Sequence, residues 1–142
     1  MNDSTQPTWF DWVVYAAVAW NLIGVIQFYF HISITAEQLT TMPLEQQQLI
    51  TSMPDWVNIA FGIAVIFGLL GSIALLMKKA LAFHLFLVSL LGVLVQNYYS
   101  FFMSNAIEVM GPAAVAIPAT VFTIGVLLIW LSLSAKSKGW IS

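Results

Sequence analysis

The chain has 142 residues, 61% of them hydrophobic and 7% charged, with a net charge of -2 and a mean hydropathy of +0.92. Charged residues make up about a quarter of an average soluble domain, so a chain this short cannot hide so much apolar side chain in a water-soluble core. All four positive charges are lysine and cysteine is absent, which excludes nucleic acid as a partner, and disulfides, thiolate nucleophiles and cysteine metal sites with it.

The pattern predicts an all-α membrane protein forming one integral membrane domain over 1–142. Its fold is an antiparallel bundle of four transmembrane helices, with spans at about 9–31, 56–77, 80–103 and 112–134 and a periplasmic loop at 33–55. Each run, at about 1.5 Å of rise per residue, is long enough to cross a hydrocarbon layer of about 30 Å. The polar leader 1–8 carries Asp3 and no positive charge. A secretory signal needs a basic start and a shorter apolar core, so the first span is expected to be retained.

The loop 33–55 is the longest polar stretch. Thr35 with Gln38 three residues on has the form of a capping box, and Pro43 restarts the chain. Leu39, Met42, Leu49, Ile50 and Met53 keep a partial apolar face. One or two short amphipathic helices on the outer membrane surface are expected, with disorder as the alternative.

Pro54 and Asp55 open the second span, Asp55 as N-cap and as an acid placed against the helix dipole. Within it Ala60, Ala64, Gly68 and Ser72 recur every four residues. Small residues at that spacing let another backbone approach closely, which is how helices associate in lipid. The spans on either side of Lys78-Lys79 must then run antiparallel, and the lysine pair marks the cytoplasmic face. The third span ends in Gln96-Asn97-Tyr98-Tyr99, and 104–111 forms a short outer loop with Asn105 and Glu108. The fourth opens near Pro112; Pro118 sits either in its first turn or at a kink. The tail carries Lys136, Lys138 and Trp140.

With four spans, all four lysines and both termini share one face, which the positive-inside rule assigns to the cytoplasm. Trp9, Trp12, Trp130 and Trp140 fall near that interface, and Tyr29, Trp56, Tyr98 and Tyr99 near the outer one, the depths amphipathic rings prefer.

Polar residues at depth are the candidates for chemistry. Asn21 lies near mid-span; Gln27, His31, Asn58, Gln96, Asn97, Thr120 and Thr123 lie in the outer halves. Two readings compete. In one these groups bond between helices and serve as glue. In the other they line an outward-facing cleft rimmed by Tyr29, Trp56, Tyr98 and Tyr99, suited to an uncharged polyhydroxyl ligand. His31 and His84 have no His or carboxylate one turn away, so neither a metal nor another cofactor is expected. His31 with Glu108 is the one pair placed to titrate near neutral pH. No span carries a charge at its centre, and no phosphate loop, zinc-protease motif or nucleophile elbow occurs, so no enzyme is expected.

Met53-Pro54-Asp55-Trp56, the run Ala60-Phe61-Gly62-Ile63-Ala64-Val65, Gly71 and Leu75-Leu76-Met77-Lys78-Lys79 carry a family resemblance, as do Ser89-Leu90, Gln96, Tyr99-Ser100-Phe101-Phe102 and Gly111-Pro112. Together they resemble a family of small four-span bacterial inner-membrane proteins labelled as sugar transporters. The resemblance runs from about Trp20 to the tail and implies a multi-pass topology and a sugar-like solute.

Two functions follow as expectations. The first is a non-enzymatic inner-membrane protein that acts by helix association through Ala60, Ala64, Gly68 and Ser72, as a homo-oligomer or as an accessory subunit, with lipid and another membrane protein as partners. The second is an oligomeric transporter of a small uncharged solute, held by Asn21, Gln27, His31, Asn58, Gln96, Asn97, Tyr98 and Tyr99.

Overall fold

Small residues decide which helix lies in the middle. The computed structural model describes residues 6–142; residues 1–5, with Asp3 of the leader, lie outside the described residues. Seven α-helices follow in order: α1 (Thr8–Ile32), α2 (Ala36–Thr40), α3 (Leu44–Thr51), α4 (Asp55–Leu76), α5 (Ala82–Tyr98), α6 (Ala106–Met110) and α7 (Ala113–Ser137), and a π turn over Tyr99–Met103 prolongs α5. Four of them, α1, α4, α5 with its π turn, and α7, are long and apolar enough to cross a membrane. The chain is therefore a multi-pass helical membrane protein.

Of these four, only α4 is buried along its whole length, through Val57, Ala60, Ala64, Gly68, Ser72 and Leu75 among others. It packs against both α1 and α5, and α5 in turn packs against α7. The approach to α5 is backbone on backbone: a Cβ on Gly92 would lie 2.7 Å from the Ala60 carbonyl oxygen and 2.9 Å from the Ala64 nitrogen. Elsewhere side chains fill the notches left by glycine, the Phe28 ring over Gly62, Phe86 over Gly71 and the Asn21 amide over Gly68. Where lipid removes the hydrophobic drive between helices, contact this close supplies the dispersion energy that holds them together.

The core lies at one end, built from Phe10, Val14, Leu75, Phe86, Leu131 and Ile141 with their neighbours. The Trp140 ring packs 5.7 Å from Trp9 and 5.2 Å from Phe10, tying the tail to the start of α1. Two matching Schellman turns shape this end. After α4, Lys79 N–H reaches the Ala74 carbonyl (2.8 Å) and Lys78 N–H reaches Leu75 (2.9 Å). After α7, Trp140 N–H reaches Ala135 (2.8 Å) and Gly139 N–H reaches Lys136 (3.1 Å). Such a turn needs a left-handed residue, filled by Gly139 at φ 78° and by Lys78 at φ 59°. Ser142 then bonds by its N–H to Lys78 (3.1 Å) and by its carbonyl to Ala80 N–H (3.0 Å). All four lysines are thus gathered at this lysine end; the opposite one is the loop end.

Several sequence expectations need correction. The spans are not joined by two lysines alone: α5 starts at Ala82, because the capped turn occupies the residues between. Asp55 is the first residue inside α4 and makes no capping bond; extended Pro54 takes the cap position, as proline's fixed φ favours. Pro118 lies inside α7, beyond its first turn. The segment 104–111 is not simply a loop, since α6 forms there and packs against α3 and α7. In the segment 33–55 two helices form, and the capping box is complete: Gln38 N–H donates to Thr35 Oγ1 (3.1 Å), while Thr35 N–H donates to Gln38 Oε1 (3.0 Å).

Candidate ligand cavity

A cavity of about 460 Å³ lies between the four long helices. Its wall on α5 follows helical spacing, with Phe86, Ser89, Val93, Gln96, Asn97 and Ser100 on one face. Trp20, Asn21, Gly24 and Gln27 of α1 face it in the same rhythm, Ile117, Pro118, Val121, Ile124 and Leu128 come from α7, and α4 closes the back with Ala64 and Gly68. Phe86 and Leu128 belong to the buried core, so the cavity is floored towards the lysine end. Its polar side chains, apart from Asn21 and Ser89, sit towards the loop end. Among the described residues, no Asp, Glu, Lys, Arg or His lines it.

The polar residues divide into two groups. One group is satisfied within the chain. Asn21 Nδ2 donates to Ser72 Oγ and to the Ala17 carbonyl, each at 2.9 Å, and Ser72 Oγ donates to the Gly68 carbonyl at 2.9 Å. Ser89 Oγ donates to the Ala64 carbonyl across the α4–α5 contact at 2.5 Å. His31 Nε2 and Asn58 Oδ1 lie 2.9 Å apart. These groups join neighbouring helices. The second group, Gln27, Gln96 and Asn97, lines the cavity with carboxamides that find no hydrogen-bond partner among the described residues. Each carboxamide offers two N–H donors and two acceptor lone pairs, and in an apolar medium an unmade bond costs about 4–8 kcal/mol.

Of the eight ligand candidates, four line the cavity: Asn21, Gln27, Gln96 and Asn97. His31 and Asn58 form their own pair outside it. Tyr98 is exposed on the outside of the bundle, and buried Tyr99 meets Trp56 edge-on at 5.7 Å, so neither lines the wall. The expected aromatic rim does not form, because Tyr98 and Tyr99 fall off the face that carries Gln96 and Ser100. Tyr29 points outward as well. Thr120 and Thr123 turn back onto their own helix, donating to the Ala116 and Ala119 carbonyls at 2.8 Å. His31 takes Asn58 as its partner, not Glu108. The lining residues Trp20, Ser89 and Ser100 were not among the ligand candidates read from the sequence. The two serines continue the spacing through Val93, Gln96 and Asn97, and that periodicity would have found them.

Ala60, Ala64, Gly68 and Ser72 are all buried within the chain, against α1 and α5. The face is turned inward and is not offered to a second molecule.

Fold and site together describe a multi-pass helical membrane protein with an uncharged, partly polar cavity between its helices. No family model, no curated protein and no solved structure matches the chain.

Proposed function

We propose that this protein is a non-enzymatic carrier of a small, uncharged, hydroxyl-bearing solute, held in the cavity between α1, α4, α5 and α7. One observation carries the reading: Gln27, Gln96 and Asn97 present three carboxamides to the cavity without a partner among the described residues. Gln27 is exposed and Gln96 and Asn97 are half-buried, so all three can meet a bound molecule. A polyhydroxyl solute supplies donors and acceptors without bringing a charge into a site that has none to neutralise it. The resemblance to small bacterial inner-membrane proteins labelled as sugar transporters agrees with that chemistry.

The setting that suits this function is a bacterial inner membrane. There the helices run antiparallel and the lysine end and both termini are cytoplasmic, by the positive-inside rule. The carboxamides Gln27, Gln96 and Asn97 then lie on the periplasmic side of the cavity. Its floor at Phe86 and Leu128 closes the inner side, so passage across the membrane calls for a second copy or a rearrangement of the core. Association through Ala60, Ala64, Gly68 and Ser72 loses its support, since that face already packs within the chain.

The test is uptake of radiolabelled hexoses and polyols into proteoliposomes. A hexose or polyol should accumulate above protein-free vesicles, and Gln96→Leu combined with Asn97→Leu should abolish the signal. Unchanged uptake by the double variant, or none with any of these solutes, counts against the proposal.

A further inference from the structure

The four long helices do not close into a ring. α1 packs on α4, α4 on α5 and α5 on α7, whereas α1 and α7 lack a comparable helix-on-helix contact. They meet through side chains at the lysine end, where Phe10, Val14 and Ala17 join the same core as Leu128, Leu131 and Ala135. Beyond that, no residue of α1 past Ala17 is buried, and none of α7 before Leu128. No shared core joins α1 to α7 beyond these residues, so the seam between them, at the side of the cavity, is not sealed by helix packing.

A second cavity, also about 460 Å³, lies in this seam and is formed by α1 and α7 alone. Its wall is almost wholly carbon, with Val13, Ala17, Leu127 and Leu131 between Trp9 and Trp130. Trp20, Ile124 and Leu128 line both cavities, so the two adjoin at these residues. The combined space has carboxamides at one end and an apolar trough at the other, with no ionisable side chain of the described residues in either part.

We infer that the ligand is a lipid-like amphiphile, an uncharged hydroxylated head on a hydrocarbon chain, which reaches the cavity sideways from the bilayer between α1 and α7. This rests on the proposed binding role of the carboxamide cavity and specifies what that cavity takes. The head occupies the space beside Gln27, Gln96 and Asn97, and the chain lies in the α1–α7 trough. A hydrocarbon chain gains little by leaving lipid for an apolar trough, so selection falls on the head and its hydrogen bonds. An anionic or zwitterionic head is disfavoured, because no counter-charge meets it. A free sugar would use the carboxamides and leave the trough empty.

The full-length protein is placed in phosphatidylcholine nanodiscs with dodecyl glucoside carrying a diazirine on its alkyl chain. After photolysis, adducts should map to Val13, Leu127 and Leu131. Unlabelled dodecyl glucoside should compete with them at far lower concentration than glucose does. Capture should fall about tenfold in Gln96→Leu/Asn97→Leu, as loss of two hydrogen bonds to the head implies. It should fall as far in Ile124→Trp, which fills the junction and spares the carboxamides; this variant keeps the test decisive if the first misfolds. Adducts scattered over Leu22, Ile66 and other lipid-facing positions, indifferent to both variants, overturn the inference. If glucose binds and is lost in the double variant while the glucoside is not captured, the cavity stands and access from the bilayer falls. If neither probe binds, both fall. Cross-links between copies along α1 and α7 without glucoside capture would assign the seam to a second chain.

Discussion

Replacing Gly92 by alanine tests the contact on which the arrangement of α4 and α5 depends. The added methyl would sit 2.7 Å from the Ala60 carbonyl oxygen and 2.9 Å from the Ala64 nitrogen, where ordinary contact begins at 3.4 Å. Both obstacles are backbone and cannot swing aside, so α5 must retreat by the difference, 3.4 less 2.7, or 0.7 Å. A gap of about that size forfeits a quarter to a half of the dispersion energy of the contacts it opens. It also stretches the bond from Ser89 to the Ala64 carbonyl, one turn away. Overpacking of this kind costs about 1–3 kcal/mol, against about 1 kcal/mol gained from the better helix propensity of alanine. The net expectation is a loss of up to about 2 kcal/mol. Gly125→Ala is the control, because its methyl would meet only the tip of the Leu90 side chain, at 3.3 Å, and that tip can yield. Unfolding in mixed dodecyl maltoside and SDS micelles, followed by circular dichroism, should move to lower SDS fraction for Gly92→Ala and hold or rise for Gly125→Ala. Equal midpoints for the two variants would show that α4 and α5 do not touch through their backbones at Gly92.

Lys78→Gly removes a side chain from the left-handed region and should stabilise the protein by about 1 kcal/mol in the same titration. In a double-mutant cycle, Asn21→Leu and Ser72→Ala should couple by about 0.6 kcal/mol, the usual size of an interhelical hydrogen bond in a membrane protein. Trp140→Ala removes ring contacts with Trp9 and Phe10, and should cost about 1–3 kcal/mol while raising amide exchange at the start of α1. Asn58→Leu releases His31 from its hydrogen bond and should speed modification of that imidazole by diethyl pyrocarbonate, leaving His84 unaffected.

The four long helices were legible because apolar runs of spanning length leave few other solutions. The Thr35 and Gln38 cap was legible because it is local. What escaped depends on how helices rotate and neighbour one another. Ala60, Ala64, Gly68 and Ser72 announce a face for close approach, but only the tertiary order α1, α4, α5, α7 shows that the chain covers that face itself. The polar side chains were visible as a set, and their division was not. A rotation of about 100° per residue separates Asn97 on the cavity wall from Tyr98 on the outside. Similarly, His31 lies one turn from Gln27 yet has a partner on α4, while Gln27 has none among the described residues. The π turn after Tyr98 has no signature in composition, and α6 is too short to show a period. The lysine junction read as a bare dipeptide because a left-handed lysine at the end of a helix is not an expected residue choice.

The clasp of Trp140 on Trp9 and Phe10 has a mechanical consequence. α1 is thereby held at both ends, near Phe10 by the clasp and towards Ile32 by the Phe28 ring over Gly62 and the His31–Asn58 pair with α4. Anchored over about 33 Å at about 1.5 Å per residue, it forms a fixed wall, so a change in the width of the seam falls to α7, which among the long helices rests chiefly on α5.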